Sequence, residues 1–163
     1  MLVRESTAYR CLKAKGFSQS GVIPDSYGTM TNMQPALWLN LHMSLEDELP
    51  PDAVLVEYIP NSQHIDLSNY SNERLHTLRD IHYEIHQARV YHGDAYPRNT
   101  MISMGDSGEE DRVLWVDFDS SQTLPEVTLT ERQEKWIKRD VDLMENFVGA
   151  MAKHHEEDRL NIA

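Results

Sequence analysis

His92-Gly93-Asp94-Ala95-Tyr96-Pro97-Arg98-Asn99, followed by Val116-Asp117-Phe118-Asp119, decides how this chain is read. The first stretch sets an Asp and an Asn five positions apart, and the second ends an apolar run on another Asp. Phosphoryl transfer from a nucleoside triphosphate needs these groups. One carboxylate orients the acceptor hydroxyl, while a carboxamide and a second carboxylate hold a divalent metal. Asn99 and Asp117 are hard oxygen donors that suit Mg²⁺, and Pro97 fixes the backbone between Asp94 and Asn99. An isolated Asp-x-x-x-x-Asn could simply cap turns. The preceding His-Gly and the Asp-Phe eighteen positions after Asn99 favour the catalytic reading.

Outward from these loops, the chain divides into two parts. Upstream of His92, Leu75, Leu78, Ile81, Ile85 and Ala88 recur at helical spacing and predict an amphipathic helix over 72–90. Downstream of Asn99, Thr100–Ser103 reads as a short strand, 105–111 as an acidic turn, and Val113–Val116 as the returning strand that presents Asp117. A second long helix starts near Thr130, where Thr130-x-x-Gln133 has the form of a capping box. Its core face would carry Trp136, Leu143, Met144, Phe147 and Met151, with residues 153–163 charged and frayed. The earlier part predicts a helix over 2–15 stopped by Gly16, and a turn-rich segment at 23–28 that enters a strand or loop. Two strands follow, at 36–43 and 53–59, paired antiparallel and separated by the acidic Pro50-Pro51 turn.

The chain has 163 residues, 40% of them hydrophobic, which is one domain's worth of polymer with enough apolar residues for a core. A formal net charge of −12 argues against a general nucleic-acid or anionic-membrane surface. Cys11 is the one cysteine, so no intramolecular disulfide can form. Charge at Arg4 and Glu5 interrupts any secretory apolar region, and no apolar run approaches a membrane span. A cytoplasmic or nuclear location is the expectation.

His92-Gly93-Asp94, Asn99 and Asp117-Phe118 together resemble the protein-kinase-like superfamily, over roughly residues 1–150. The His-Gly-Asp form is similar to aminoglycoside, choline and other small-molecule kinases, and to divergent kinase-like proteins of fungi. The resemblance implies an α+β, protein-kinase-like fold with an incomplete N-terminal β lobe and a mainly helical C-terminal lobe. The parts would be a partial N-lobe over 1–60, a C-lobe over 61–152 and a polar tail over 153–163. By the same resemblance Asp94 is the catalytic base, with Asn99 beside it as a metal ligand. Asp117 is the second metal ligand, and backbone groups of Glu57, Tyr58 and Ile59 bind adenine. The implied cofactors are ATP and Mg²⁺, and the implied reaction moves the γ-phosphate to a hydroxyl of a protein or small molecule. Glu5 resembles the carboxylate that pairs with the ATP-binding lysine, and Asp140 the helical Asp that steadies the catalytic loop.

Asp119 stands where protein kinases have Gly, and nothing before Glu5 supplies a glycine-rich loop or that lysine. The alternative function is therefore a non-catalytic kinase-like binding or scaffold protein. An unpaired sheet edge near 36–59 would favour self-association.

His92 is expected to pack beneath the loop and donate to backbone near Asp117. His82 and His86 have metal-ligand spacing on the helix, but they lack the His-Glu-x-x-His arrangement of zinc hydrolases. With no third ligand nearby in sequence, they read as surface or interface histidines.

Overall fold

The computed structural model describes residues 2–105 and 111–162, with side chains through Glu157. Helix α1 (Leu2–Ala14) buries Ala8, Tyr9 and Leu12 and stops at Gly16, whose φ of 90° lies in the left-handed region. Strand β1 (Ser26–Met30) pairs antiparallel with β2 (Ala53–Val56). The segment read as a strand at 36–43 is instead two 3₁₀ turns, Pro35–Leu37 and Leu39–Ser44. Pro35 lacks an amide to donate, and its fixed φ suits the first position of such a turn. Leu37, Leu39 and Met43 are left facing solvent. The antiparallel partner expected for residues 53–59 exists, but it is supplied by residues 26–30.

Short strand β3 (Ser62–His64) follows, then α2 (Asn72–Gln87). Ser71 caps α2 from extended backbone, its Oγ accepting the Arg74 amide at 3.1 Å. Leu75, Leu78, Ile81, Ile85 and Ala88 are all buried, as their spacing requires. Each such Leu or Ile contributes about 1.5–3 kcal/mol relative to exposure. The helix ends at Gln87, short of Val90. Arg89 takes φ 63°, turning the chain into β4 (Val90–Tyr91).

β4 leads directly into the His92 loop and pairs antiparallel with β7 (Gln122–Thr123). Between them, β5 (Thr100–Ser103) and β6 (Arg112–Trp115) form a hairpin in which Thr100 faces Trp115, with β3 on the outer side of β5. The acidic turn expected at 105–111 lies, for 106–110, outside the described residues.

Helix α3 (Glu131–Ile162) begins with the capping box in place: the Gln133 amide donates to Thr130 Oγ1 at 3.3 Å, and the Thr130 amide donates to Gln133 Oε1 at 2.9 Å. Met144 is fully buried, while Leu143, Phe147 and Met151 pack partly buried around it. Trp136 stacks on Tyr91 rather than entering the core. The helix continues through the segment expected to fray. The result is a mixed α and β fold of three small antiparallel sheets and three helices among the described residues. Its core runs through Leu12, Leu78, Ile85, Ile102, Trp115 and Phe118. No helix among the described residues is long and apolar enough to cross a membrane.

Candidate active site

The β5–β6 hairpin and the β4–β7 ladder share their ends, which brings the 92–99 and 117–121 loops together. Backbone bonds join them: the Val116 amide donates to the Asn99 carbonyl at 2.9 Å. His92 is fully buried beneath both loops, and its Nε2–H donates to the Val116 carbonyl at 3.2 Å, one residue before Asp117. This is the role its position in the motif predicts. Burial pushes the His92 imidazole down to about 4, so the ring is neutral and able to donate at one nitrogen while packing against Phe118 and Trp115.

Gly93 has φ 80°, and a Cβ there would lie 2.6 Å from the Ser120 carbonyl oxygen. Only glycine lets the first loop pass this close to the second. Asp94 follows, half-buried and heavily engaged. Asn99, 3% exposed, donates from Nδ2 to both the carbonyl oxygen and Oδ2 of Asp94, each at 2.8 Å. That leaves Asn99 Oδ1 as the carboxamide atom available to a metal. Arg98 Nη2 donates to Asp94 Oδ1 and Oδ2 at 2.6 and 2.8 Å and stacks over Tyr96. Neither the loop motif nor its spacing hints that Arg98 closes on Asp94.

Asp117 is exposed at φ 59°, an uncommon conformation for a non-glycine residue. Glu5 of α1 lies within electrostatic reach of this loop. Partial burial raises its carboxyl above the ordinary range, and the Asp117 and Asp119 carboxylates push it the same way. The Asp117 carboxylate and Asn99 Oδ1 are hard oxygen donors whose charge suits Mg²⁺.

Of the three hinge candidates, Glu57 is committed elsewhere. Its amide donates to the Asp25 carbonyl at 2.7 Å, and its carboxylate receives Arg112 at 2.8 Å. Arg112, foremost among its neighbours, holds the Glu57 carboxyl below the usual range. Tyr58 is 85% exposed and Ile59 is buried.

Asp140 differs from its expected role. It does not reach the catalytic loop backbone but lies buried between α2 and α3, where His82 and His86 each donate Nε2–H to its Oδ2 at 3.2 Å. Burial alone would raise the Asp140 carboxyl, yet the two imidazoles outweigh it and hold the group well below the carboxylate range. The two histidines read as surface or interface residues are thus interior ones, packed between α2 and α3. Helical spacing marked the pair, but their partner lies 58 and 54 residues away and only the fold reveals it.

A family model described as the lipopolysaccharide kinase (Kdo/WaaP) family matches residues 55–159, which takes in Glu57, Tyr58 and Ile59, both loops and most of α3. No curated protein matches the chain, and no solved structure does either. The family match covers well over half of the residues and includes every element that carries the loop geometry. The chain belongs to the lipopolysaccharide kinase (Kdo/WaaP) family, a kinase-type member of the protein-kinase-like superfamily.

Proposed function

We propose that this chain is an ATP- and Mg²⁺-dependent phosphotransferase that moves the γ-phosphate to a hydroxyl of a protein or small molecule. One observation carries the reading: the Asn99 carboxamide pins Asp94 through Nδ2 while its backbone carbonyl ties it to the strand end before Asp117. Base and metal ligands are thereby held in one rigid unit, which is what a reaction depending on positioning and electrostatics requires.

In this reading Asp94 accepts a hydrogen bond from the attacking hydroxyl, and Asn99 Oδ1 and Asp117 would hold Mg²⁺, which offsets charge on the phosphates. With the Glu57 amide occupied, the adenine edge would fall to backbone groups of Tyr58 and Ile59. A cavity of about 340 Å³ adjoins Asp94, with Tyr91, Tyr96, Arg139, Asp142 and Asn146 among its walls. Its polar lining and the lipopolysaccharide named in the family's description support a sugar hydroxyl as one acceptor class. Arg98, 63% exposed at its side chain, has room to swing from Asp94 toward a phosphate.

A second reading has its own support. Arg98 covers both oxygens of Asp94, as it would in a kinase-like binding or scaffold protein without turnover. Calorimetry of Mg²⁺-ATP with the wild type and Asp117→Ala separates the cases. Saturable binding that is lost in the variant, together with transfer to an acceptor hydroxyl, supports the enzyme. Binding without transfer to any acceptor supports the scaffold. Equal binding by both proteins refutes the role given to Asp117.

A further inference from the structure

We propose that His82, His86 and Asp140 form a binding site for one zinc-class divalent transition cation, seated between α2 and α3 behind the catalytic loop. The phosphotransferase reading uses neither histidine, and Asp140 enters it only as part of the wall of the cavity beside Asp94. His82 and His86 stand one helical turn apart, so their imidazoles leave α2 on the same side. Asp140 meets them from the buried face of α3, on which Met144 lies one turn further along.

The distances suit such an ion. Both Nε2 atoms lie 3.2 Å from the same Oδ2, and one ligand atom from each residue falls within 4.8 Å of the others. Tetrahedral coordination with bonds of about 2.0–2.1 Å sets neighbouring donors about 3.3–3.4 Å apart. Two edges of the tetrahedron are therefore already close to the required length. Two imidazoles and one carboxylate are a borderline-soft set that favours zinc-class cations over Mg²⁺ or Ca²⁺.

The donors are also held in place. Their side chains are 2%, 3% and 5% exposed in the order His82, His86 and Asp140, and His82 stacks on Trp115 with ring centres 4.9 Å apart. Asp140 is a buried carboxylate whose Oδ2 already draws both imidazoles, a place where a cation gains strongly.

Access comes from a groove of about 430 Å³ that His82 lines, with Glu84 and Glu145 on its walls and Asp80 there paired to Arg79. These carboxylates would draw a cation inward, and water from the groove would complete the coordination. Loading moves the proton of each imidazole from Nε2 to Nδ1, and the ion then replaces the two hydrogen bonds to Asp140. His86 Nδ1 is buried without a partner, so its new proton would be unpaired. That sets the affinity below that of sites whose outer nitrogens are hydrogen-bonded.

The full chain, stripped by a chelator, would be titrated with Zn²⁺ against a chromophoric chelator, and with Co²⁺ to read its visible spectrum. We expect one ion per chain, a tetrahedral Co²⁺ spectrum and a raised melting temperature. His82→Gln and His86→Gln should each weaken Zn²⁺ binding by at least about 100-fold, the upper end of the loss caused even by an outer partner. His154→Ala/His155→Ala, in the last part of α3, should leave it unchanged. Absence of saturable Zn²⁺ binding by the wild type overturns the proposal, as does unchanged binding in the His82→Gln/His86→Gln double variant. Should those variants fail to fold, X-ray absorption on the Zn²⁺-loaded wild type decides. Two imidazoles with oxygen at about 2.0–2.1 Å uphold the site, and a shell lacking two imidazoles rejects it.

Discussion

Replacing Gly93 by Ala tests the packing of the two loops, because the structure gives both parts of the penalty. At φ 80° an alanine sits in the left-handed region, which costs about 1–2 kcal/mol. Its Cβ would also stand 2.6 Å from the Ser120 carbonyl oxygen, and that neighbour is backbone, with no flexible end to turn aside. Relieving the overlap displaces one loop against the other, adding about 1–3 kcal/mol by analogy with overpacked cores. The sum, about 2–5 kcal/mol, is a large share of the roughly 5–15 kcal/mol that stabilises a domain. With a urea slope near 2 kcal/mol per M, the unfolding midpoint should fall by about 1–2.5 M. Gly149→Ala supplies the opposite control. It lies in α3 with open space where a methyl group would project and an ordinary helical φ, so it should gain about 0.5–1 kcal/mol from helix propensity. A Gly93→Ala midpoint within about 0.3 M of wild type, a change of roughly 0.6 kcal/mol at that slope, would refute the close approach of the loops.

Asp94→Asn should keep Mg²⁺-ATP binding in calorimetry while lowering acceptor phosphorylation by about 10²–10⁴-fold, and undiminished transfer would remove Asp94 as the base. His92 makes stability depend on pH. Its value falls from about 6.5 in the unfolded chain to about 4 when folded, so the unfolded state takes up the proton first. Its contribution is complete above pH 6.5 and about 3 kcal/mol is lost on descending to pH 4, with His82 acting in the same direction. Urea midpoints for wild type and His92→Asn should converge as pH falls across that window, and parallel profiles would contradict this. The two-stranded β1–β2 sheet and the exposed Leu37, Leu39, Met43 and Leu49 nearby should promote self-association. Sedimentation showing a monomer at every concentration would count against it.

Where physics was local, the sequence was readable. The stripe of α2, the Thr130 capping box and the β5 strand depend on neighbours within a few positions, and the structure holds each of them. The His92 hydrogen bond was legible because its motif fixes which loop lies above it. Segment 36–43 misled, since its apolar residues suggest a strand while Pro35 favours a 3₁₀ turn and the pairing edge of β2 is taken by β1. β1 was legible only as a strand or loop entered from the 23–28 turn, because Gly28 interrupts its pattern, and β3, made of Ser62, Gln63 and His64, has no apolar alternation to read. The meeting of Asp140 with His82 and His86, and the closure of Arg98 on Asp94, depend on packing and side-chain geometry that one-dimensional spacing does not encode.

The left-handed backbone of Asp117 has a consequence for selection. Glycine meets no steric penalty at φ 59°, and asparagine is also at home there, so either would relieve strain of roughly 1 kcal/mol or less. Selection of this chain for heat resistance alone would favour losing the carboxylate at 117, yielding sturdier proteins without the group proposed to hold Mg²⁺. Aspartate at this position would persist only where an activity that needs its charge is under selection.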